Sequence, residues 1–148
     1  MTLLQQVLWG SLYLSACVVL EAALMVACAS ALDKSHHKWA HLRRTSKNGI
    51  LILTALGFIL AAHTAQVWIW STVFVLTGTL GDWNSALYFS LVTYTTLGYG
   101  DIVLGPGLRI FAAFAAVTGL LAFGISTAFL VALMGRIFGF MDSRGRPH

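Results

Sequence analysis

A chain of 148 residues that is 58% hydrophobic and only 9% charged cannot cover itself with polar surface, because a soluble domain carries about 25% charged residues. An ordinary soluble domain is therefore excluded, and lipid is the expected solvent. The net charge of +4 is clustered, with five Lys and Arg between Lys34 and Lys47 and three more after Gly135. Basic clusters that flank apolar stretches are a membrane-topology signal rather than a nucleic-acid patch, so no nucleic-acid partner is expected.

Leu3 to Ala31 is an almost unbroken apolar run, long enough to cross a bilayer with tilt, and residues 1–32 are read as a first transmembrane helix. Ala29-Ser30-Ala31 has the small-residue spacing of a signal-peptidase site, but the run lacks a basic start, is too long, and is interrupted by Glu21. Cys17 and Cys28 lie on this helix about 16 Å apart. They cannot bridge one another and are read as buried thiols that pack as small hydrophobes.

Residues 33–48 form a basic loop, cytoplasmic by the positive-inside rule. It contains His36, His37 and His41. His37 and His41 have an i, i+4 spacing that two metal ligands can use, yet no third strong ligand stands nearby, and a solvated loop is the expectation. Residues 49–76 are the second span, running outward. Trp68 and Trp70 near its outer end, and Trp9 and Tyr13 at the outer end of the first span, suit the headgroup region.

After a short turn at 77–81, Asp82 or Asn84 can cap a new helix. The helix expected over 83–95 is too short to cross, about 20 Å against a hydrocarbon core of about 30 Å. It runs directly into Thr93-Tyr-Thr-Thr-Leu-Gly-Tyr-Gly-Asp101. Gly98 and Gly100 bracket Tyr99 at alternate positions, as in a strand whose residues alternate between ordinary and left-handed backbone. Such alternation lets successive carbonyls point to one side, where a row of them replaces the water around a monovalent cation. Extended backbone at membrane depth must be buried by protein or line a wet cavity, so this is a re-entrant loop. Its helix aims a partly negative C-terminal end at the centre, which favours a cation. Residues 107–138 form the third span, and residues 141–148, with Arg144 and Arg146, a short cytoplasmic tail. Two crossings plus one loop that enters and leaves by the same face put both basic clusters on the cytoplasmic side, the loop and the N-terminus outside.

Thr96-Leu97-Gly98-Tyr99-Gly100-Asp101 resembles the selectivity filter of potassium channels, and the resemblance extends over roughly residues 50–140. It implies an all-α membrane protein of three transmembrane helices, with a re-entrant pore helix and filter between the second and third. It also implies a homotetramer, in which one loop supplies a quarter of a filter. Carried over, the carbonyls of Thr96, Leu97, Gly98 and Tyr99, with Gly100 completing the run, would coordinate K+ as the permeant ion. The Thr96 hydroxyl would add the innermost ligands. Asp101 would stand at the outer mouth, held by the Tyr88 hydroxyl, and Thr93 would support Tyr99.

The pattern departs from the family at Leu97, where Val is usual, and at Val92, which leaves no carboxylate behind the filter. Phe89 and Tyr88 stand where indoles are common. The third span matches the inner helix, with Gly119 and Gly124 as hinges. Leu120, Phe123, Thr127 and Val131 share one face by their spacing and are expected to line the cavity and gate. Thr118 and Ser126 are expected to hydrogen-bond between helices.

Glu21 and His63 are ionisable groups inside the membrane and count as functional candidates, here for a pH-sensitive site. Counted from the cytoplasmic ends of their spans, they differ in depth by about 4–5 Å. No helix carries Arg at every third position and the tail after Phe140 is short, so neither a voltage sensor nor a ligand-binding domain is expected. No hydrolytic or redox constellation is present, so the protein is not expected to be an enzyme or to carry a cofactor. The reading is a potassium-selective channel subunit in the cell (inner) membrane, with the bilayer and its own copies as partners and no ligand implied. A weakly selective cation channel and a non-conducting accessory or sensor subunit remain open alternatives.

Overall fold

The computed structural model describes residues 1–38 and 44–142, and the side chains of all of these except 34–38, 44, 45, 47, 138 and 140–142. Four helices follow in order: α1 (Leu3–Lys38), α2 (Arg44–Leu76), α3 (Trp83–Tyr94) and α4 (Arg109–Asp142). Within α1, α2 and α4, the stretches Leu3–Asp33, Asn48–Leu76 and Arg109–Ile137 are long and apolar enough to cross a membrane. Helices apolar on every side belong in lipid, where the backbone must satisfy its own hydrogen bonds.

The polar connector expected between the first two spans is shorter than its composition suggests, because α1 continues to Lys38 and α2 already begins at Arg44. Charged residues such as Lys and Arg are good helix formers, so the apolar edge of a span need not be the end of its helix. The His37–His41 pairing and the tail from 143 onward fall outside the described residues. Among the described residues, no cluster of three metal-ligating side chains occurs.

α1 and α4 run parallel at a constant offset. Gln6 accepts bonds from the Ile110 and Phe111 N–H groups at 3.2 and 3.4 Å, so a side chain of α1 caps the first turn of α4. Further along, a Cβ at Gly10 would overlap the Phe114 ring, which marks a close helix approach through a small residue. At the far end, Arg136 reaches Asp33 at 4.0 Å, both exposed. The N-termini of α1 and α4 therefore share one end of the molecule, and the Asp33–Arg136 region the other.

Two apolar clusters hold the helices together. One gathers Cys17, Trp70, Phe74, Phe89, Tyr94, Phe111 and Ala115 toward the α4 N-terminal end. The other gathers Cys28, Leu32, Leu51, Ala55, Leu133 and Ile137. Cys17 and Cys28 are both buried and free. Trp70 belongs to the first cluster and is fully buried against Tyr13, Phe74 and Phe111, so it faces protein rather than headgroups. Two residues on a helix stand about 200° apart, so only Trp68 faces outward, beside Trp83 with ring centres 6.2 Å apart.

Candidate functional site

α3 starts where Asp82, in extended backbone, accepts the Ser85 N–H at 2.9 Å. That bond holds the Asp82 carboxyl below its ordinary range. At the other end, the Thr95 N–H and hydroxyl both donate to the Leu91 carbonyl, at 3.0 and 2.7 Å. The chain then leaves the helix with positive φ at every second residue: Thr96 (60°), Gly98 (55°) and Gly100 (78°). Gly pays little for this conformation, whereas a β-branched Thr pays a steric cost that only a well-determined surrounding structure sustains.

The N–H groups here turn back toward α3. Thr96 donates to the Thr93 carbonyl at 2.9 Å, and Leu97 and Gly98 both donate to the Val92 carbonyl, at 3.0 and 3.2 Å. Among the described residues every peptide bond is trans, and across a trans peptide the carbonyl of one residue opposes the N–H of the next. The Thr95, Thr96 and Leu97 carbonyls therefore point away from α3, in succession and to one side. The Val92 carbonyl that organises this was not foreseeable from residue type, since a backbone acceptor belongs to every residue alike.

At the outer edge, the Tyr88 hydroxyl donates to Asp101 Oδ2 at 2.6 Å, and the Ile102 N–H donates to Oδ1 at 3.1 Å. The Tyr88 bond lowers the Asp101 carboxyl below its usual range and raises the Tyr88 phenol. Tyr99 is 68% exposed, and within one subunit no hydrogen bond joins it to Thr93 among the described residues. Left-handed backbone on both sides of Tyr99 turns its side chain off the chain's own helix.

On α4, Leu120 and Val131 are 65% and 66% exposed, and Thr127 is exposed with them, so the three keep the common face their spacing implies. Phe123 is half turned inward: its ring lies 4.5 Å from that of His63 and 5.8 Å from that of Tyr94. Gly119 has a duty other than bending. A Cβ there would overlap the Tyr94 carbonyl, so this glycine lets the end of α3 lie against α4. Gly124 faces open space. Thr118 does not bridge helices; its hydroxyl donates to Phe114 within α4 at 2.7 Å.

Between the two apolar clusters lies a closed ring of hydrogen bonds. Glu21, with no exposure, accepts the Gln66 amide at 2.7 Å and the Ser126 hydroxyl at 2.5 Å. The Tyr94 hydroxyl donates to Gln66 Oε1 at 3.2 Å. His63 closes the circuit, Nδ1 at 2.8 Å from the Tyr94 hydroxyl and Nε2 at 3.3 Å from Ser126 Oγ. α1, α2, α3 and α4 all contribute a member. Glu21 and His63 thus meet at one depth through Ser126. The offset expected from the apolar edges shrinks to about 3 Å when counted from Lys38 and Arg44, the observed helix ends. Tyr94 was the unforeseen partner, although a phenol in so apolar a helix needs one.

Three membrane-length helices, with a short helix packed against them and an exposed glycine run at its end, define a multi-pass membrane protein. The family model described as ion channel matches residues 50–136, more than half of the chain, and the protein belongs to that family. No curated protein and no solved structure matches it. The match covers α2, α3, the glycine run and most of α4, and leaves α1 outside.

Proposed function

We propose that the chain is one subunit of a homotetrameric, potassium-selective channel, with residues 96–101 as its filter and α3 as a re-entrant pore helix. The observation that carries this reading is the left-handed backbone at Thr96, Gly98 and Gly100, with N–H groups turned inward and carbonyls outward. Carbonyls directed away from the chain's own helix have no acceptor role within one subunit. Around a four-fold axis they replace the hydration shell of a dehydrated cation. The exposure of Tyr99, Leu120, Thr127 and Val131 supports the same assembly, since copies packed about that axis cover the Tyr99 ring and leave the α4 face to line a cavity.

Basic clusters at 34–47 and 136–146 support a cytoplasmic Asp33–Arg136 end and a filter that opens outward, in an inner-membrane orientation. The C-terminal end of α3 then faces the cavity, where its dipole favours a cation. Asp101 concentrates cations at the outer mouth, and Leu120 and Val131 close the path by dewetting. Gly124, where an added Cβ would meet open space, supplies the hinge.

Reconstitution into liposomes tests this directly. Reversal potentials in potassium against sodium should follow the potassium gradient. Equal permeabilities would leave a weakly selective cation channel, and no flux at any pH, voltage or tension would leave a non-conducting subunit. A monomeric particle mass in detergent would contradict the shared filter.

A further inference from the structure

The ring of Glu21, Gln66, Tyr94, His63 and Ser126 contains five hydrogen bonds, and each requires one hydrogen. Gln66, Tyr94 and Ser126 supply one apiece, whichever way the amide is turned. The remaining two must come from Glu21 and His63 together. Only two arrangements meet that count: an imidazolium with a carboxylate, or a neutral imidazole with a carboxylic acid. They interconvert when His63 Nε2–H passes its proton to Ser126 Oγ while the Ser126 hydroxyl passes its own to Glu21 Oε1. Neither carries net charge, as burial between two apolar clusters demands. Removing the shared proton leaves a buried negative charge and one contact with no hydrogen in it.

We infer that this ring is a binding site for one exchangeable proton, and that the proton closes the ring around the base of residues 96–101. Tyr94 carries the connection. Its hydroxyl is a ring member, its carbonyl lies against Gly119, and Thr96 follows two residues on. Loss of the proton releases one of the contacts around His63 and Tyr94, and with it the inner end of the glycine run. The other titratable groups facing the ring are the Tyr94 phenol, already a member from α3, and the Cys17 thiol one turn up α1. α2 adds only His63 itself, and α4 contributes Ser126 but no ionisable group at this depth. The coupling to conduction rests on the channel reading; the proton site does not.

Glu21→Gln is the informative variant. A glutamine here accepts from Gln66 and donates to Ser126, which frees the Ser126 hydroxyl to donate to a neutral His63. The ring is then closed at every pH. Over about pH 5 to about pH 10, a window reaching from ordinary histidine to tyrosine titration, 15N spectra of the wild-type protein should show one titration involving His63. From the ordinary histidine value of about 6.5 up to that point the folding equilibrium should weaken up to tenfold per pH unit, read as a falling Tm, and level off above it. Glu21→Gln should remove this component of the Tm profile and hold potassium flux at its low-pH value.

A wild-type His63 signal that never changes, or a neutral His63 beside an ionised Glu21 at low pH, overturns the site even if the variant fails to fold. An equal pH slope in wild type and Glu21→Gln also overturns it. Flux absent at all pH with the titration intact supports the site and overturns the channel reading instead. Flux that ignores pH while the ring titrates supports the site and overturns its coupling to residues 96–101.

Discussion

Residues 82–101 and the buried five-membered ring satisfy the polar groups of an apolar protein by opposite means. In the first region the partners are near in sequence: Asp82 with Ser85, Thr95 with Leu91, Leu97 and Gly98 with Val92, Tyr88 with Asp101. Local bonds satisfy the Thr96, Leu97 and Gly98 N–H groups and leave the Thr95, Thr96 and Leu97 carbonyls turned away from α3. In the second region, members from α1, α2, α3 and α4 meet across up to 105 residues of chain, and every group at the junction is consumed. A region that keeps acceptors spare is suited to binding an ion. One that spends all of them is suited to fixing helices against each other, with a proton as its adjustable part.

The contrast breaks most sharply at Gly119, where the two regions touch. Gly119→Ala drives a methyl into the Tyr94 carbonyl, and overpacking against backbone costs about 1–3 kcal/mol. The expected outcome is a clear fall in Tm together with loss of potassium flux. Gly124→Ala, in open space, is expected to hold or raise stability by about 0.5–1 kcal/mol while impairing opening. Equal stability losses in the two variants would erase the distinction between a packing glycine and a hinge.

A smaller effect is expected at the outer mouth. Tyr88 holds the Asp101 carboxyl below its ordinary range, so the folded charge persists to lower pH than in the unfolded chain. Its contribution is present above the unfolded value of about 3.9 and is lost as pH falls through the lowered folded one. Tyr88→Phe returns Asp101 toward that ordinary value. Acid block of flux should then begin at higher pH, with selectivity kept. An unchanged acid midpoint would show that the Tyr88 bond does not tune the mouth.

The smallest change is expected at Ser90, whose buried hydroxyl has no partner among the described residues. Replacing an unsatisfied polar group with an apolar one is near neutral or stabilising, so Ser90→Ala should shift stability by no more than about 0.5 kcal/mol. A loss well beyond that would mean Ser90 belongs to a polar network after all, like the ring residues.

Legibility followed the range of the interaction. The three spans, the short helix over 83–94 and the capping role of Asp82 were readable because each depends on composition or on neighbours within a few residues. The Tyr88–Asp101 pairing was readable through the family resemblance. Trp70 and Thr118 were misplaced, since hydropathy does not say which side of an all-apolar helix faces protein. The role of Gly119 was hidden because a glycine required by another helix looks the same as a glycine that bends its own.

The sequence alone determined that this is a multi-pass membrane protein with a glycine run between its second and third spans. Hydrophobic length and the conformational needs of alternating glycines are properties of the chain itself. Only the tertiary structure decided that α1 and α4 run side by side and that Glu21 meets His63 through Ser126. It also decided that Tyr94 ties this ring to the base of residues 96–101. Those facts depend on helix rotation and register, which follow from the close approaches at Gly10 and Gly119 and are not carried by any one segment.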